Sequence, residues 1–294
     1  MGAGDVAQAA GLGEVFTRAQ GLAAGLTPAQ LRGPAVRRVF RGVFTLGDPS
    51  DLGMRARAAL ALAGQGALVC ESTALALLGV ELPDAAPADA VHIWVGDGPR
   101  LAMAGIRVHR DTWSGVPAPV APGIEALDLA TCWLQCAGAL PVEDLVVLAD
   151  GLTRRSDPIL GLDDLRQVLE HATGRRGVRA ARAALGLARE GTGSSLETRV
   201  RLALVAAGLP CPAVFHPLRS PRGDVPYHLQ MAYPEARVGV ECEAPHPGDE
   251  EQMRADLVRR RWIEDRGWRI ITGSFLDLPD PSGLVASVRH ALGG

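Results

Sequence analysis

The stretch YHLQMAYPEARVGVEC, residues 227–242, constrains the fold more strongly than any other part of the chain. Apolar residues recur at every second position on both sides of a Pro-Glu pair, which is the period of a half-buried β-strand. A proline followed by a polar residue is typical of a tight turn. We therefore predict an antiparallel hairpin with strands at residues 227–232 and 237–243.

The patterns around this hairpin predict a further domain at residues 191–294. Helices are predicted at residues 196–207, 250–266 and 283–292, and additional strands at residues 213–216 and 268–272. The resulting order α-β-β-β-α-β-α is typical of a small α/β domain with a mixed sheet. The preceding GTGSS segment is typical of a flexible linker.

In residues 1–49, the sequence pattern predicts two short helices that meet at a glycine turn. Residues 15–24 place apolar side chains on one helical face, and a glycine follows as a stop. Thr27 suits the N-cap of a second helix that begins with Pro28. Residues 36–46, VRRVFRGVFTL, are rich in β-branched and aromatic residues and predict a small β-wing. This order predicts a winged helix-turn-helix.

Basic residues coincide with the part of such a domain that contacts DNA. Five arginines and no acid lie between Phe16 and Gly47, which favours attraction to phosphate. In a winged helix-turn-helix, Gln and Arg on the second helix read base edges, whereas arginines on the wing hold phosphates. We therefore predict a DNA interface, and a plain solvated face is the alternative. The predicted DNA-binding residues are Thr27, Gln30, Arg32, Arg37, Arg38 and Arg41.

A central domain of helices and strands is predicted at residues 50–190. Its helices are predicted at residues 52–64, 71–78, 123–137, 141–153, 162–171 and 177–188, and its strands at residues 91–95 and 106–109. His92 and His109 lie on the two strands and can face one another. Without a nearby acid or thiol, we interpret them as structural. The basic stretch from Arg175 to Arg182 fits a nucleic-acid surface, a partner-binding surface or a solvated face.

Composition excludes several classes of function. All 30 basic residues are arginine, which excludes a lysine nucleophile and a GxxxxGK[ST] phosphate loop. The five cysteines form no CxxC pair, so we expect a reduced, cytoplasmic setting without a zinc knuckle. No run of ~18 apolar residues is present, so we expect no membrane partner.

Two resemblances to known families cover nearly the whole chain. The segments SLETRVRLALVAAGLP, HLQMAYPEARVGVECEA and ADLVRRRWIEDRGWRII resemble, in that order, the very-short-patch-repair-like branch of the restriction-endonuclease fold. GLTPAQL, RGVF and the downstream helix resemble the winged-helix and second domains of AbiEi-like antitoxins of type IV toxin–antitoxin systems. They imply an α+β and α/β fold class: a winged helix-turn-helix at 1–49, a central mixed α/β domain at 50–190, and a restriction-endonuclease-like domain with a mixed sheet at 191–294.

The nuclease resemblance implies carboxylates gathered at one end of the C-terminal sheet. Phosphodiester hydrolysis needs a hydroxide and relief of negative charge, and Mg²⁺ held by hard oxygen ligands supplies both. In the resembling family, a helix glutamate matches Glu197 and a carboxylate of the first hairpin strand matches Gln230. The acidic pair matches Glu241 and Glu243, and His246 stands where a histidine commonly follows.

Departures from the family pattern predict an impaired site. Gln230 is neutral, and no lysine completes the acid–acid–lysine set. Ala244 replaces the glycine that follows the acidic pair, and Pro245 stiffens the loop that a scissile phosphate would approach. We therefore predict no bound cofactor. Only if the site is active do we expect it to bind Mg²⁺, with Glu241 as the ligand.

Three functions remain as hypotheses. The first is a DNA-binding, antitoxin-like transcription regulator of its own operon. Its partners would be double-stranded DNA, a cognate nucleotidyltransferase-like toxin and a second copy of the chain. The alternative is a Mg²⁺-dependent DNA endonuclease guided by the winged helix. The third is an antidote that binds a toxin protein and makes no DNA contact.

Overall fold

The chain forms two compact units of mixed α and β structure. The computed structural model describes residues 11–86, 89–96, 101–243 and 250–293, with the side chains of all but residues 250–253. The first unit runs to Leu140 and takes in His171–Val178; the second consists of Pro141–Glu170 and the chain from Arg179 onward. Helices accompany antiparallel and mixed sheets, which confirms the predicted α+β class. The predicted domain boundaries after residues 49 and 190 stay predictions.

A small antiparallel sheet opens the first unit, with strand order β1-β3-β2. Its elements are β1 Val15–Thr17, helix α1 Arg18–Ala23, a 3-10 turn Gln30–Arg32, β2 Arg37–Phe40 and β3 Val43–Thr45. Phe16, Leu26, Leu31 and Val36 form its buried core. Gly42 joins β2 to β3 with φ +83°, a conformation that glycine adopts without strain. The predicted wing is therefore confirmed as a hairpin.

The helix predicted at residues 15–24 begins only at Arg18. Val-Phe-Thr favours a strand, and Phe16 is buried at 1% exposure with its ring stacked near that of Phe44. Thr17 then caps α1, because its hydroxyl accepts the Gln20 N–H while the Gln20 side chain accepts the Thr17 N–H.

The predicted second helix of the winged helix-turn-helix is wrong in length, because it is a single 3-10 turn. Thr27 does hold its start: the Thr27 hydroxyl accepts the Gln30 N–H at 3.2 Å, and Gln30 Oε1 accepts the Thr27 N–H at 2.9 Å. Pro34 ends the turn, since the residue before a proline disfavours helical backbone. At about 2 Å of rise per residue, the turn is only about 6 Å long.

A second sheet in the first unit has strand order β6-β5-β4-β8-β7. Its strands are β4 Leu68–Val69, β5 Val91–Trp94, β6 Ile106–His109, β7 Ala118–Ala121 and β8 Ile124–Ala126, and the accompanying helices are α2 Leu52–Ala63, α3 Glu71–Leu77 and α4 Leu129–Cys136. Strands β5 and β6 run parallel, with His92 opposite Arg107 and Trp94 opposite His109. This register puts both histidines on neighbouring strands.

The helix predicted at residues 123–137 is wrong in its first third, which is the strand β8. Gly123 makes the turn from β7 with φ +68°. The helix begins only after Asp128, whose carboxylate accepts the Thr131 N–H at 2.9 Å. An aspartate N-cap of this kind competes with any helical start further upstream.

The second unit contains the four-stranded sheet β12-β11-β10-β9. Its elements are α5 Val142–Leu152, α6 Leu162–Glu170, α7 Val178–Leu187 (whose first residue belongs to the first unit), α8 Ser195–Ala206, β9 Ala213–Leu218, β10 Tyr227–Tyr233, β11 Val238–Cys242, α9 Glu250–Glu264, β12 Arg269–Gly273 and α10 Ser282–Gly293. Strands β10 and β11 are antiparallel, whereas β11 and β12 are parallel. The predicted hairpin and mixed sheet are confirmed.

An ion pair lies in the interior of the second unit. Asp150 of α5 is fully buried, and Arg201 of α8 is 1% exposed. Arg201 Nη2 donates to Asp150 Oδ2 at 2.7 Å, and Thr198 Oγ1 donates to the same oxygen at 2.8 Å. The Arg189 N–H donates to the other carboxylate oxygen at 2.8 Å. Helices α5 and α8 are therefore joined by a hydrogen-bonded charge pair as well as by apolar packing.

Throughout the described ranges, no helix has the length and apolar character needed to cross a lipid bilayer.

Candidate functional site

The acid of β11 that resembles a nuclease ligand is paired with an arginine. Glu241 is 9% exposed. Arg259 of α9 places Nη2 3.1 Å from Glu241 Oε1 and 3.0 Å from Oε2. The same nitrogen donates to the His228 carbonyl at 2.8 Å, so the guanidinium is fixed between two strands and the helix. The charge that would attract a divalent ion is therefore compensated by the protein itself.

Gln230 has a structural position beside that acid. Its side-chain oxygen accepts the Cys242 N–H, and its Nε2 donates to the Cys242 carbonyl at 3.4 Å. The Gln230 N–H donates to Glu241 Oε1 at 3.2 Å. Main-chain pairing between β10 and β11 begins one residue after Gln230, where Met231 lies opposite Val240. The amide therefore replaces main-chain pairing at the end of the ladder, which a carboxylate could not do because it lacks a donor.

The helix glutamate is held by a different arginine. Glu197 lies in the first turn of α8 and is 3% exposed. Arg155 donates two parallel hydrogen bonds to Glu197, from Nη1 to Oε2 at 2.7 Å and from Nη2 to Oε1 at 2.8 Å. The Gly193 N–H donates to Oε2 at 2.9 Å. Such a bidentate pair is among the stronger charge-assisted interactions in proteins.

These residues do not fit a Mg²⁺ ion. Among the residues whose side chains are described, neither Glu197, Glu241 nor Glu243 belongs to a group of His, Cys, Asp or Glu close enough to share a metal. Glu243 is exposed, and the predicted His246, Ala244 and Pro245 lie outside the described residues. Mg²⁺ is usually bound through one or two carboxylates together with water or phosphate oxygens. The two buried acids are instead neutralised by arginine.

The predicted DNA-binding side chains lie on and beside the β2–β3 hairpin. Arg37 and Arg38 project from β2, and Arg41 stands at the turn. All three are exposed, as are Arg18 and Arg32. No salt bridge to these arginines occurs within the described part of the chain. The hairpin surface is therefore basic; hydrogen bonds from Ser50 and, to a smaller extent, the charge of Arg37 lower the pKa of Asp48.

The 3-10 turn offers less to a nucleic acid. Gln30 Oε1 accepts both the N–H and the hydroxyl of Thr27, at 2.9 and 3.0 Å. Arg32 Nε donates to the Pro28 carbonyl at 3.0 Å. Both predicted base-reading side chains therefore use part of their hydrogen-bonding capacity within the turn.

The histidine pair predicted to lack an acid has one. His92 Nδ1 lies 3.0 Å from His109 Nε2, and their rings stack with centroids 5.2 Å apart. Glu71 Oε2 contacts His92 Nδ1 directly and lies 3.1 Å from His109 Nε2. Burial raises the pKa of Glu71, but the imidazoles beside it lower that pKa by more, to about 2. The expectation of an isolated pair is wrong, because Glu71 reaches it from the start of α3.

Glu71 has a strained backbone, with φ +53°. A left-handed conformation at a non-glycine residue costs about 1–3 kcal/mol and persists only where the surroundings impose it. The Glu71 N–H donates to Gln135 Oε1 at 3.2 Å, which holds the strained residue against α4. The carboxylate is thereby directed at the two strands that carry the histidines.

A pocket of about 570 Å³ adjoins this cluster within the first unit. Its lining includes His109, four arginines and an aspartate, namely Arg107, Arg110, Arg175, Arg176 and Asp111. Arg175 Nη2 lies 3.2 Å from Asp111 Oδ2 and donates to the Thr112 carbonyl at 2.7 Å. Arg175 and Arg176, for which the sequence left three interpretations open, therefore line a concave site.

Comparison with known proteins gives a distant similarity over most of the chain. An uncharacterized protein of Mycobacterium tuberculosis, from strains CDC 1551 / Oshkosh and ATCC 25618 / H37Rv, is 27% identical over 271 residues. The match covers 89% of this chain and 94% of the relative, so it extends over both units. No protein-family model matches the chain.

Arg155, Arg259 and Glu71 are the site residues that sequence reasoning missed. The arginines belong to segments remote from the acids that they neutralise. Glu71 follows the two-residue strand β4, which is too short to leave a periodic signal. A charged residue inside the apolar run around Cys70 was the one available sign.

Replacing Gln230 by aspartate tests whether a carboxylate at the position predicted by the nuclease resemblance gives activity. We expect no cleavage of plasmid, mismatched or single-stranded DNA with Mg²⁺ or Mn²⁺, because Arg259 still neutralises Glu241. We also expect a loss of about 1–3 kcal/mol in the free energy of unfolding, since the Cys242 carbonyl loses its donor. Gel-based cleavage and urea denaturation measure the two effects. Metal-dependent cutting by the wild type that disappears in Glu241→Ala would establish the endonuclease alternative instead.

Proposed function

We propose that the protein is a DNA-binding regulator whose nuclease-like C-terminal domain does not cut DNA. The observation that carries the proposal is the exposed basic surface at the β2–β3 hairpin, whose arginines form no salt bridge within the described part of the chain. A second observation supports the proposal: the two buried acids of the nuclease-like domain, Glu197 and Glu241, are each paired with an arginine. One surface therefore has the charge to hold a polyanion, and the other has too little free negative charge to hold the ion that cleavage requires.

Phosphate contacts account for most of the binding in this proposal. Arg37, Arg38 and Arg41 occupy a hairpin that can follow one strand of a duplex, and Arg18 and Arg32 extend the same charged segment. Each neutralised phosphate releases counterions, so affinity falls with salt in proportion to the number of contacts. Five contacts correspond to a slope of about −4.5 in a plot of log K against log salt concentration.

Sequence discrimination is expected to be modest. A recognition helix reads several base edges in the major groove, whereas the turn Gln30–Arg32 spans about 6 Å. Gln30 and Arg32 are the side chains that could reach bases, and each is partly engaged by the turn. Sequence preference therefore arises from these two residues and from the shape of the duplex.

The regulatory role is the more specific part of the proposal. It rests on the resemblance of the N-terminal segments to AbiEi-like antitoxins of type IV toxin–antitoxin systems. In that role the protein represses its own operon, and a nucleotidyltransferase-like toxin and a second copy of the chain are its partners. A gene for such a toxin beside the gene for this chain would support the role.

The basic hairpin is tested by the triple variant Arg37→Ala, Arg38→Ala, Arg41→Ala. On DNA from upstream of the gene, at salt concentrations spanning 50–200 mM, we expect the affinity to fall roughly 10- to 100-fold. The salt slope should become shallower by about 3, because three phosphate contacts are lost. Fluorescence anisotropy with labelled duplexes measures both quantities.

A matched control removes the same number of exposed arginines elsewhere. Arg222, Arg254 and Arg289 lie on the surface of the second unit, and their joint replacement by alanine lowers the net charge equally. Binding by this control should stay close to that of the wild type. Equal losses in both triple variants would mean that general charge, rather than the hairpin, governs binding. Salt-insensitive binding or none by the wild type would refute the proposal.

A further inference from the structure

We propose that Glu71, His92 and His109 bind one divalent transition-metal ion, of which Zn²⁺ suits the donors best. The site belongs to the first unit and is separate from the basic hairpin and from the nuclease-like acids. Two imidazole nitrogens and one carboxylate oxygen are a common set of zinc ligands, and three protein ligands leave one position open. This inference does not depend on DNA binding.

The distances between the donor atoms suit a tetrahedral ion. His92 Nδ1 and His109 Nε2 are 3.0 Å apart, and His109 Nε2 and Glu71 Oε2 are 3.1 Å apart. His92 Nδ1 is also in contact with Glu71 Oε2. Metal–ligand bonds of 2.0–2.2 Å at tetrahedral angles place donor atoms roughly 3.3–3.6 Å from one another. The two donor pairs that include His109 need to open by only a few tenths of an ångström, whereas the Glu71–His92 contact must open further to admit the ion.

Hydrogen bonding within the cluster leaves it incompletely satisfied. His92 Nε2 is buried and has no hydrogen-bond partner among the described residues, and the contacts of the buried Glu71 Oε2 are those with the two imidazoles. Glu71 and His92 are 5% and 4% exposed, so water does not readily supply the missing partners. A neutral imidazole offers one donor and one acceptor nitrogen, and two N–H groups directed at each other repel. A cation at the centre accepts a lone pair from His92 Nδ1, His109 Nε2 and Glu71 Oε2 and removes this repulsion, although it does not reach His92 Nε2.

The surroundings hold the three donors in place. His92 and His109 lie on neighbouring parallel strands of a hydrogen-bonded sheet, offset by two residues in the register. The His92 N–H donates to the Thr73 hydroxyl at 2.9 Å, which ties β5 to α3, the helix that carries Glu71. Gln135 holds the Glu71 main chain and also donates from Nε2 to Asp111 Oδ1 at 3.2 Å. Outer contacts of this kind orient metal ligands.

The open coordination position faces the arginine-lined pocket. All three proposed ligands line the pocket, and His109 is the most exposed of them, with 28% of its side chain accessible. Closed structural zinc sites use four protein ligands, whereas a site with three keeps a position for water or a ligand. Arg107, Arg110 and Arg176 add positive charge to the pocket wall. An anion such as phosphate is therefore favoured over a neutral molecule as the fourth ligand.

The proposal is tested on the full-length, untagged protein after chelator treatment and gel filtration. We expect one equivalent of Zn²⁺ to bind per chain, measured by atomic emission after dialysis and by competition with a chromophoric chelator. Co²⁺ should give the visible absorption of a tetrahedral ion with nitrogen and oxygen donors. Glu71→Gln and His109→Asn should each weaken Zn²⁺ binding by more than about 100-fold.

Matched variants separate metal binding from folding. Glu125→Gln and His290→Asn change an exposed acid and an exposed histidine elsewhere, and both should bind Zn²⁺ as the wild type does. In His109→Cys the metal should stay bound, and Co²⁺ should acquire a thiolate charge-transfer band that the wild type lacks. Circular dichroism checks that each variant is folded.

Three results would overturn the proposal. The first is the absence of stoichiometric binding by the wild type. The second is unchanged affinity in folded Glu71→Gln and His109→Asn. The third is a thiolate charge-transfer band in wild-type Co²⁺ protein, which would place the ion on a cysteine.

Discussion

Replacing Asp150 by alanine is expected to lower the free energy of unfolding by about 3–5 kcal/mol. The substitution leaves the Arg201 guanidinium buried at 1% exposure without a counter-charge, and it also removes the partner of the Arg189 N–H and the Thr198 hydroxyl. An unpaired charge in the interior is far more costly than a lost contact at the surface. Urea denaturation followed by circular dichroism gives the change, and hydrogen exchange of α8 shows where protection is lost.

An exposed ion pair provides the control for this prediction. Arg260 Nε lies 3.0 Å from Glu264 Oε1 on α9, and both side chains are about half exposed. Arg260→Ala should cost about 1 kcal/mol or less, because solvent screens such pairs. Asp150→Leu combined with Arg201→Met should recover part of the loss, since it removes both charges. If Asp150→Ala costs no more than Arg260→Ala, the buried pair does not stabilise the second unit.

Gly177→Ala is expected to destabilise the first unit by about 3–5 kcal/mol. Gly177 has φ +83°, and a Cβ at this position would overlap the carbonyl of Ala137. The substitution therefore adds a backbone strain and a steric clash with main-chain atoms that cannot move aside independently. Thermal and urea denaturation measure the loss.

Gly174→Ala isolates the backbone contribution. Gly174 has φ +75°, but no atom lies within 4 Å of where its Cβ would be. We expect this variant to cost about 1–2 kcal/mol, which is the strain of the left-handed conformation alone. Equal effects of the two substitutions would show that contact with Ala137 contributes nothing.

The periodicity of apolar residues and the positions of turn-forming residues predicted most of the second unit from the sequence. Strands β9 to β12 and helices α8 to α10 lie within a few residues of the predicted positions, because each is bounded by glycine, proline or a capping serine. The same reasoning failed at residues 15–24, where Phe16 pairs in a sheet with a strand that is distant in sequence. It failed again at residues 123–126, where the short strand β8 precedes a helix of similar apolar content.

The candidate sites were less predictable, because they depend on contacts between remote segments. Glu197 and Glu241 could be identified from their positions in the pattern, but their neutralisation by Arg155 and Arg259 follows from tertiary structure. The histidine pair was located correctly on neighbouring strands, whereas the carboxylate beside it comes from a helix start with an unusual backbone conformation. Spacing along the chain contains no information about either arrangement.

The path of the chain between the two units limits how they can be separated. It passes from one unit to the other at Leu140, at Glu170 and at Val178. A protease cut or a recombination event at any single one of these points would leave at least one fragment incomplete. A fragment ending at Leu140 would lack Gly177 and the arginine that pairs with Asp111. Neither unit is thus one continuous stretch of the chain, so no single cut leaves both units intact.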